Sequence, residues 1–167
     1  PGAGGELNNA FYDPVHQLLA FGNGDGVVTD NLGTDLDVAV HETGHHVFEV
    51  LVEPAIFAID DPILAMSEAV ADTYAALVSD DPDVGESTIP GQPFLRTLDN
   101  AASFPSGVDE DPHVTGLVYG GANWDLRQLL GLDAFADLLT EALLRLPPEA
   151  LEEDYRDAFL AANVETR

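Results

Sequence analysis

The hydrophobic pattern of the chain changes its period once. Over residues 7–29 the apolar positions come in short bursts: Phe11-Tyr12, a turn at Asp13-Pro14, Leu18–Phe21, then the Gly22-Asn23-Gly24-Asp25-Gly26 turn and Val27-Val28. Bursts bounded by Gly, Asn, Asp and Pro predict short strands. From Leu36 the small and apolar positions Leu36, Val40, Gly44, Val47 and Leu51 recur at steps of three and four. That spacing predicts a buried helix, capped by Thr34 or Asp35 and stopped by Pro54.

A second helix is expected from an Asp61 N-cap and Pro62 at its first position to about Ser79, where Asp80-Asp81-Pro82-Asp83 breaks it. Residues 84–110 read as irregular. Asp111-Pro112 repeats the cap-and-proline signal ahead of a glycine-interrupted helix over residues 113–130, and two amphipathic helices are expected near 133–146 and 149–162. The predicted architecture is α+β, with a strand-rich part (1–35) and a mainly helical part (36–167) in a single domain.

Charge and composition narrow the function. Five Arg and no Lys face 31 acidic residues, a formal charge of −26 over 167 residues, so nucleic acid and anionic membrane surfaces would be repelled. A hydrophobic content of 46% argues against disorder. No apolar run approaches the ~18 residues of a membrane span. With no cysteine, any metal must be held by His and carboxylate. The opening Pro1-Gly-Ala-Gly-Gly lacks an initiator Met and reads as a processing boundary behind a removed pro-segment. The acid excess and the absence of Cys and Lys suit an extracellular, high-salt setting and a monomer.

The chemistry centres on His41-Glu42-Thr43-Gly44-His45, inside the first predicted helix. Residues four apart stand one above the other, so two imidazoles can bind one tetrahedral Zn²⁺ while Glu42 reaches the reacting water. A catalytic zinc needs a third protein ligand and an open position. The next helix offers Glu68 as that ligand, and Asp72, one turn later, as acceptor for the free N–H of a ligating histidine. The segment around them is so apolar that two inward carboxylates need a partner, and a dication is one.

In this order the motifs resemble the thermolysin-like gluzincin metallopeptidases, fungalysin relatives included, in shortened form. Asn8-Asn9-Ala10-Phe11-Tyr12 is similar to that family's edge strand, where Asn9 and Ala10 would bind substrate backbone. Phe21 to Gly26 resembles its Gly-Asp turn, and Asp37-Val38-Ala39-Val40-His41-Glu42 its entry to the zinc helix. The resemblance implies that Leu95-Arg96-Thr97 supplies an arginine for the substrate carbonyl after the cut. It also implies that His113 stabilises the oxyanion, oriented by Asp109 or Asp111, and that Val38 and Leu95 line a pocket for a hydrophobic side chain.

The pattern also departs from the family. The tyrosine expected on the loop before the third-ligand helix is missing, since residues 53–66 contain only Phe57 as an aromatic; Tyr119 is the candidate substitute. Ser67 stands where the family has Asn. His46 points about 100° away from His45 around the helix and is given a surface or supporting role. His16 is expected in solvent, without a nearby partner. Asp37, Asp80, Asp81, Asp83 and Glu86 form a candidate Ca²⁺ site. The expected function is zinc endopeptidase action on peptide or protein substrates. The alternatives are a weak or inactive zinc-binding module that recognises peptides, or an acidic calcium-binding surface domain.

Overall fold

The computed structural model describes residues 7–54 and 62–165. Strands β1 (Ala10–Asp13) and β2 (Leu18–Phe21) form an antiparallel hairpin with Ala10 opposite Phe21 and Asp13 opposite Leu18. Asp13 closes the turn: its Oδ1 accepts from the amides of Val15 at 2.9 Å and His16 at 3.1 Å. His16 is exposed as expected, but it does have a partner, the Asp13 carboxylate 2.7 Å from its Nδ1. The expected strand at Val27-Val28 does not form. Asp25 Oδ1 accepts from both of their amides, at 2.8 and 2.7 Å, so the donors a ladder would need are already used. Those amides, with the Asn8 side chain, hold the Asp25 carboxyl down to about 2.

Helix α1 (Leu36–Val52) starts at Asp35, whose Oδ1 accepts from the amides of Asp37 and Val38 at 2.9 and 3.3 Å. It ends at Glu53, in the left-handed region, just before Pro54. Helix α2 (Pro62–Ser79) is buried along most of its length, which explains its near-continuous apolar sequence. Its expected Asp61 cap lies outside the described residues, as does Phe57. Helix α3 (Pro112–Leu130) is capped by Asp111, which accepts from the His113 amide at 2.9 Å. Helices α4 (Leu132–Leu143) and α5 (Glu152–Glu165) follow. Both sit within a few residues of their expected positions. The intervening Leu146-Pro147-Pro148 and the Leu151 amide bonded to Asp154 Oδ2 set the boundaries.

The irregular stretch holds one short pairing, β3 (Asp83–Val84) with β4 (Arg96–Thr97), antiparallel, with Val84 opposite Arg96. Two residues are too few to leave a period in the sequence, yet this pairing delivers Arg96 to the site. The core joins Phe48 and Val52 of α1 to Ile63, Met66 and Val70 of α2, and these to Tyr119, Phe135, Leu139, Tyr155 and Phe159. Close helix contacts rest on glycines. A Cβ at Gly44 would stand 2.7 Å from Ala71 Cα, and one at Gly116 would stand 3.2 Å from Glu68 Cβ. Small residues thus draw α1 and α3 onto α2, where the third ligand lies.

Candidate active site

His41 and His45 stand one turn apart on α1 and face Glu68 on α2. Their Nε2 atoms are 3.1 Å apart; Glu68 Oε2 is 3.4 Å from His41 Nε2 and Glu68 Oε1 is 3.6 Å from His45 Nε2. Zinc–ligand bonds of about 2.0–2.1 Å give a tetrahedron with edges of about 3.3 Å. The triangle therefore has the size of a zinc face. Among the described residues this is the one group of three or more such side chains close enough to share an ion.

The donor chemistry fits as well. His41 Nδ1 lies 2.7 Å from Asp72 Oδ1, and His45 Nδ1 lies 2.9 Å from Ser67 Oγ. Asp72 can only accept, so His41 keeps a proton on Nδ1, and Nε2, facing His45 and Glu68, is the nitrogen that offers its lone pair once a metal displaces any proton there. Glu68 Oε2 is buried and accepts no hydrogen bond. A cation answers both the facing lone pairs and the orphaned oxygen.

Asp72 is itself held by a fork. Arg96 donates Nε to Oδ2 and Nη2 to Oδ1, each at 2.7 Å. Burial raises the Asp72 carboxyl, but Arg96 and His41 outweigh it and hold the group well below the usual range. Burial pulls His41 down, yet Asp72 and Glu68 leave it pushed up to about 9. His45 goes the other way, to about 4, through burial and the neighbouring His41. Glu42 is buried beside the triangle and its carboxyl is raised, chiefly by desolvation. A buried carboxylate with a raised pKa is suited to take and return a proton.

His113, at the start of α3, projects into the same cleft. Its Nε2 lies 3.3 Å from Glu68 Oε2 and its Nδ1 lies 2.9 Å from Asp111 Oδ1. Asp109 does not touch it; its Oδ1 accepts from the Asp111 amide at 3.0 Å and so shapes the loop. Asn9, Ala10 and Tyr12 of the hairpin line a cavity of about 360 Å³ with Glu42, His45 and Glu68. A second cavity of about 300 Å³ opens beside it, lined by Leu32, Val38, Val84 and Leu95 together with Arg96 and His113.

Two expectations are corrected. Tyr119 is not at the cleft. Six residues beyond His113, it faces the far side of α3, its ring 5.0 Å from that of Tyr155. Nor do the five candidate calcium ligands converge. Asp80 pairs with Arg127, Asp81 accepts from the Asp83 amide, and Asp37 meets the Glu86 carboxyl, so the five do not gather about one point. Burial, then the hydrogen bond from Glu86, pushes Asp37 up to about 7. Sequence reasoning missed the Arg96–Asp72 fork and the link from His46 and Glu49 to Tyr12. The second left a signal: Glu42, His46 and Glu49 fall at i, i+4 and i+7, one stripe of α1.

Two histidines one turn apart, a glutamate from the following helix and a carboxylate beside them define a gluzincin-type zinc site. The comparisons agree. Residues 2–49 match the family model of the thermolysin metallopeptidase catalytic domain. Neutral protease NprE of Bacillus pumilus is 30% identical over 102 residues, 60% of this chain and 32% of that protein. Bacillolysin of Bacillus amyloliquefaciens is 29% identical over 102 residues, 19% of its length. This chain therefore spans at most about a third of the curated relatives it matches. The precursor of protealysin, a metalloproteinase from Serratia proteamaculans, shares the fold, with a TM-score of 0.84 and 20% identity over 98% of this chain and 61% of that one. The chain is thus similar to the thermolysin metallopeptidases over residues 2–49, and it shares its fold with one solved metalloproteinase precursor.

Proposed function

We propose that the protein is a zinc-dependent endopeptidase. The observation that carries this reading is the zinc-sized triangle of His41, His45 and Glu68, open toward a cleft that also holds Glu42 and the edge of β1. Zinc bound there supplies a Lewis acid and brings the pKa of a water to about 7. Glu42 takes the proton of the attacking water and passes it to the leaving amine. His113, with Asp111 on its Nδ1, donates from Nε2 to the developing oxyanion.

The substrate runs as an added strand along β1, with Asn9 and the backbone of Ala10 as partners. The cavity walled by Val38 and Leu95 receives an apolar side chain after the cut. Arg96 has two N–H groups committed to Asp72. It positions that carboxylate and, lining the same cavity, meets the substrate carbonyl. A removed pro-segment belongs to the same reading, supported by the resemblance to a protealysin precursor; secretion is proposed with it. No helix of the described residues is long and apolar enough to cross a membrane.

The test is metal content with hydrolysis of reduced, unfolded casein, before and after 1,10-phenanthroline. About one zinc per chain and chelator-sensitive cleavage support the reading. Zinc binding without cleavage selects the inactive peptide-binding module, and no zinc binding removes both.

A further inference from the structure

Hairpins with strands of four residues do not hold themselves in place in water. Among the described residues, every side-chain hydrogen bond between this hairpin and α1 is made by Tyr12. Its hydroxyl meets Glu49 Oε2 and lies 2.8 Å from His46 Nδ1. A carboxylate only accepts, so the single phenol proton goes to Glu49, and the phenol oxygen accepts from His46 Nδ1–H. Burial and Glu49 push the Tyr12 phenol up to about 12, so this donor stays protonated at neutral pH.

The placement ties the contact to the cleft. Glu42, His46 and Glu49 form one stripe of α1, and β1 lies along it. The Tyr12 backbone amide hydrogen-bonds the Glu42 carboxylate, while its ring reaches the next two turns. Tyr12 also lines the cleft cavity with Asn9, Ala10 and Glu42. Among the described residues β1 pairs on one side only, with β2, which leaves its other edge unpaired.

We propose that Tyr12 is a positioning residue: latched to His46 and Glu49, its hydroxyl sets the spacing between the β1 edge and Glu42, and with it the width of the peptide cleft. This rests on the peptidase reading above, so the test has one arm that does not need activity.

In the first arm, hydrogen exchange is followed in zinc-loaded wild type, Tyr12→Phe, Glu49→Ala and Glu49→Gln. Tyr12→Phe and Glu49→Ala speed exchange of the hairpin amides about fivefold, the scale of one net hydrogen bond, and leave α2 and α3 unchanged. Glu49→Gln keeps an acceptor and restores slow exchange. In the second arm, an internally quenched heptapeptide with Leu after the cut is assayed. Tyr12→Phe raises KM about fivefold with kcat within twofold, and adding Glu49→Ala raises it no further, because both remove one contact. Unchanged hairpin exchange in Tyr12→Phe overturns the latch whatever the activity. Unchanged KM, or a fall in kcat alone, overturns the positioning role. Faster hairpin exchange in Tyr12→Phe, beside a wild type that cleaves nothing, retains the latch, overturns its role in setting a peptide cleft, and places the failure in the peptidase reading.

Discussion

The helical side of the cleft holds its charges by burial, whereas the hairpin side holds its edge through a partly exposed side chain. On the helical side His41, Asp72 and Arg96 form a chain in which each group answers the next at 2.7 Å, away from water. Removing one member leaves another charged and buried, which costs about 3–5 kcal/mol. On the hairpin side the strands are four residues long and the Tyr12 contact lies at the rim. Losing it costs about one net hydrogen bond. A cleft built this way keeps the His41-His45-Glu68 triangle fixed while its hairpin wall can shift.

The largest expected effect separates chemistry from both walls. Glu42→Gln keeps the triangle and both walls but removes the base. Zinc content should be unchanged and casein hydrolysis should fall about a hundred- to ten-thousand-fold. Near-normal turnover in a zinc-loaded Glu42→Gln protein would remove the base assignment.

Asp72→Asn tests whether the buried chain governs the metal. The amide still accepts from His41 Nδ1–H, but its charge is gone, and zinc affinity should drop about 10–100-fold in competition with a chromophoric chelator. With His41 held up to about 9, the metal-free site is protonated at neutral pH. Zinc binding at pH 7.5 should therefore release about one proton, read by calorimetry in two buffers of different ionisation enthalpy. Affinity should then rise with pH toward 9. A pH-independent affinity would show that His41 is already neutral.

Arg96→Ala sharpens the comparison from the other end. An arginine that only gripped substrate would leave the melting temperature alone. The fork to Asp72 predicts a loss of about 3 kcal/mol, or roughly 6–12 °C in a domain of this size. Lys should restore little, since it lacks the planar fork. An unchanged melting temperature would show that Arg96 contributes nothing to the rigidity of the helical side.

The smallest effect concerns the corner where α1 begins. Asp37 has a folded pKa of about 7, raised above the ordinary carboxylate value. A raised acid favours the folded state below about pH 4, and that preference is lost as pH climbs toward 7. Asp37→Asn keeps an acceptor for the Gly85 amide and should raise the melting temperature by about 2–4 °C at pH 8 but not at pH 4. Equal shifts at both pH values would mean that ionisation of Asp37 is not the cause.

The two sides also differ in how much of them the sequence displays. His41, Glu42, His45, Glu68 and Asp72 were legible because helical spacing and an apolar setting fix their direction locally. The starts of α1 and α3 and the end of α2 followed from Asp and Pro signals at their boundaries. The hairpin wall depends on contacts across 34 and 37 residues, Tyr12 to His46 and to Glu49; the stripe of Glu42, His46 and Glu49 marks a polar face of α1 but not the residue that covers it. Val27-Val28 failed as a strand because a side chain outcompeted the ladder for its amides. Tyr119 failed as a cleft residue through direction around the helix rather than distance along it.

Gly44 has a consequence of another kind, as a gauge for ionic radius. It brings α1 so near α2 that an added methyl would stand 2.7 Å from Ala71 Cα, well inside the ~3.5 Å of ordinary carbon contact. Two vertices of the metal triangle ride on α1 and the third on α2. Pushing the helices apart by several tenths of an ångström would lengthen the edges that join them. The triangle would then fit bonds longer than the ~2.0–2.1 Å of zinc. One hydrogen atom in place of a methyl group thus keeps the three ligands at zinc spacing.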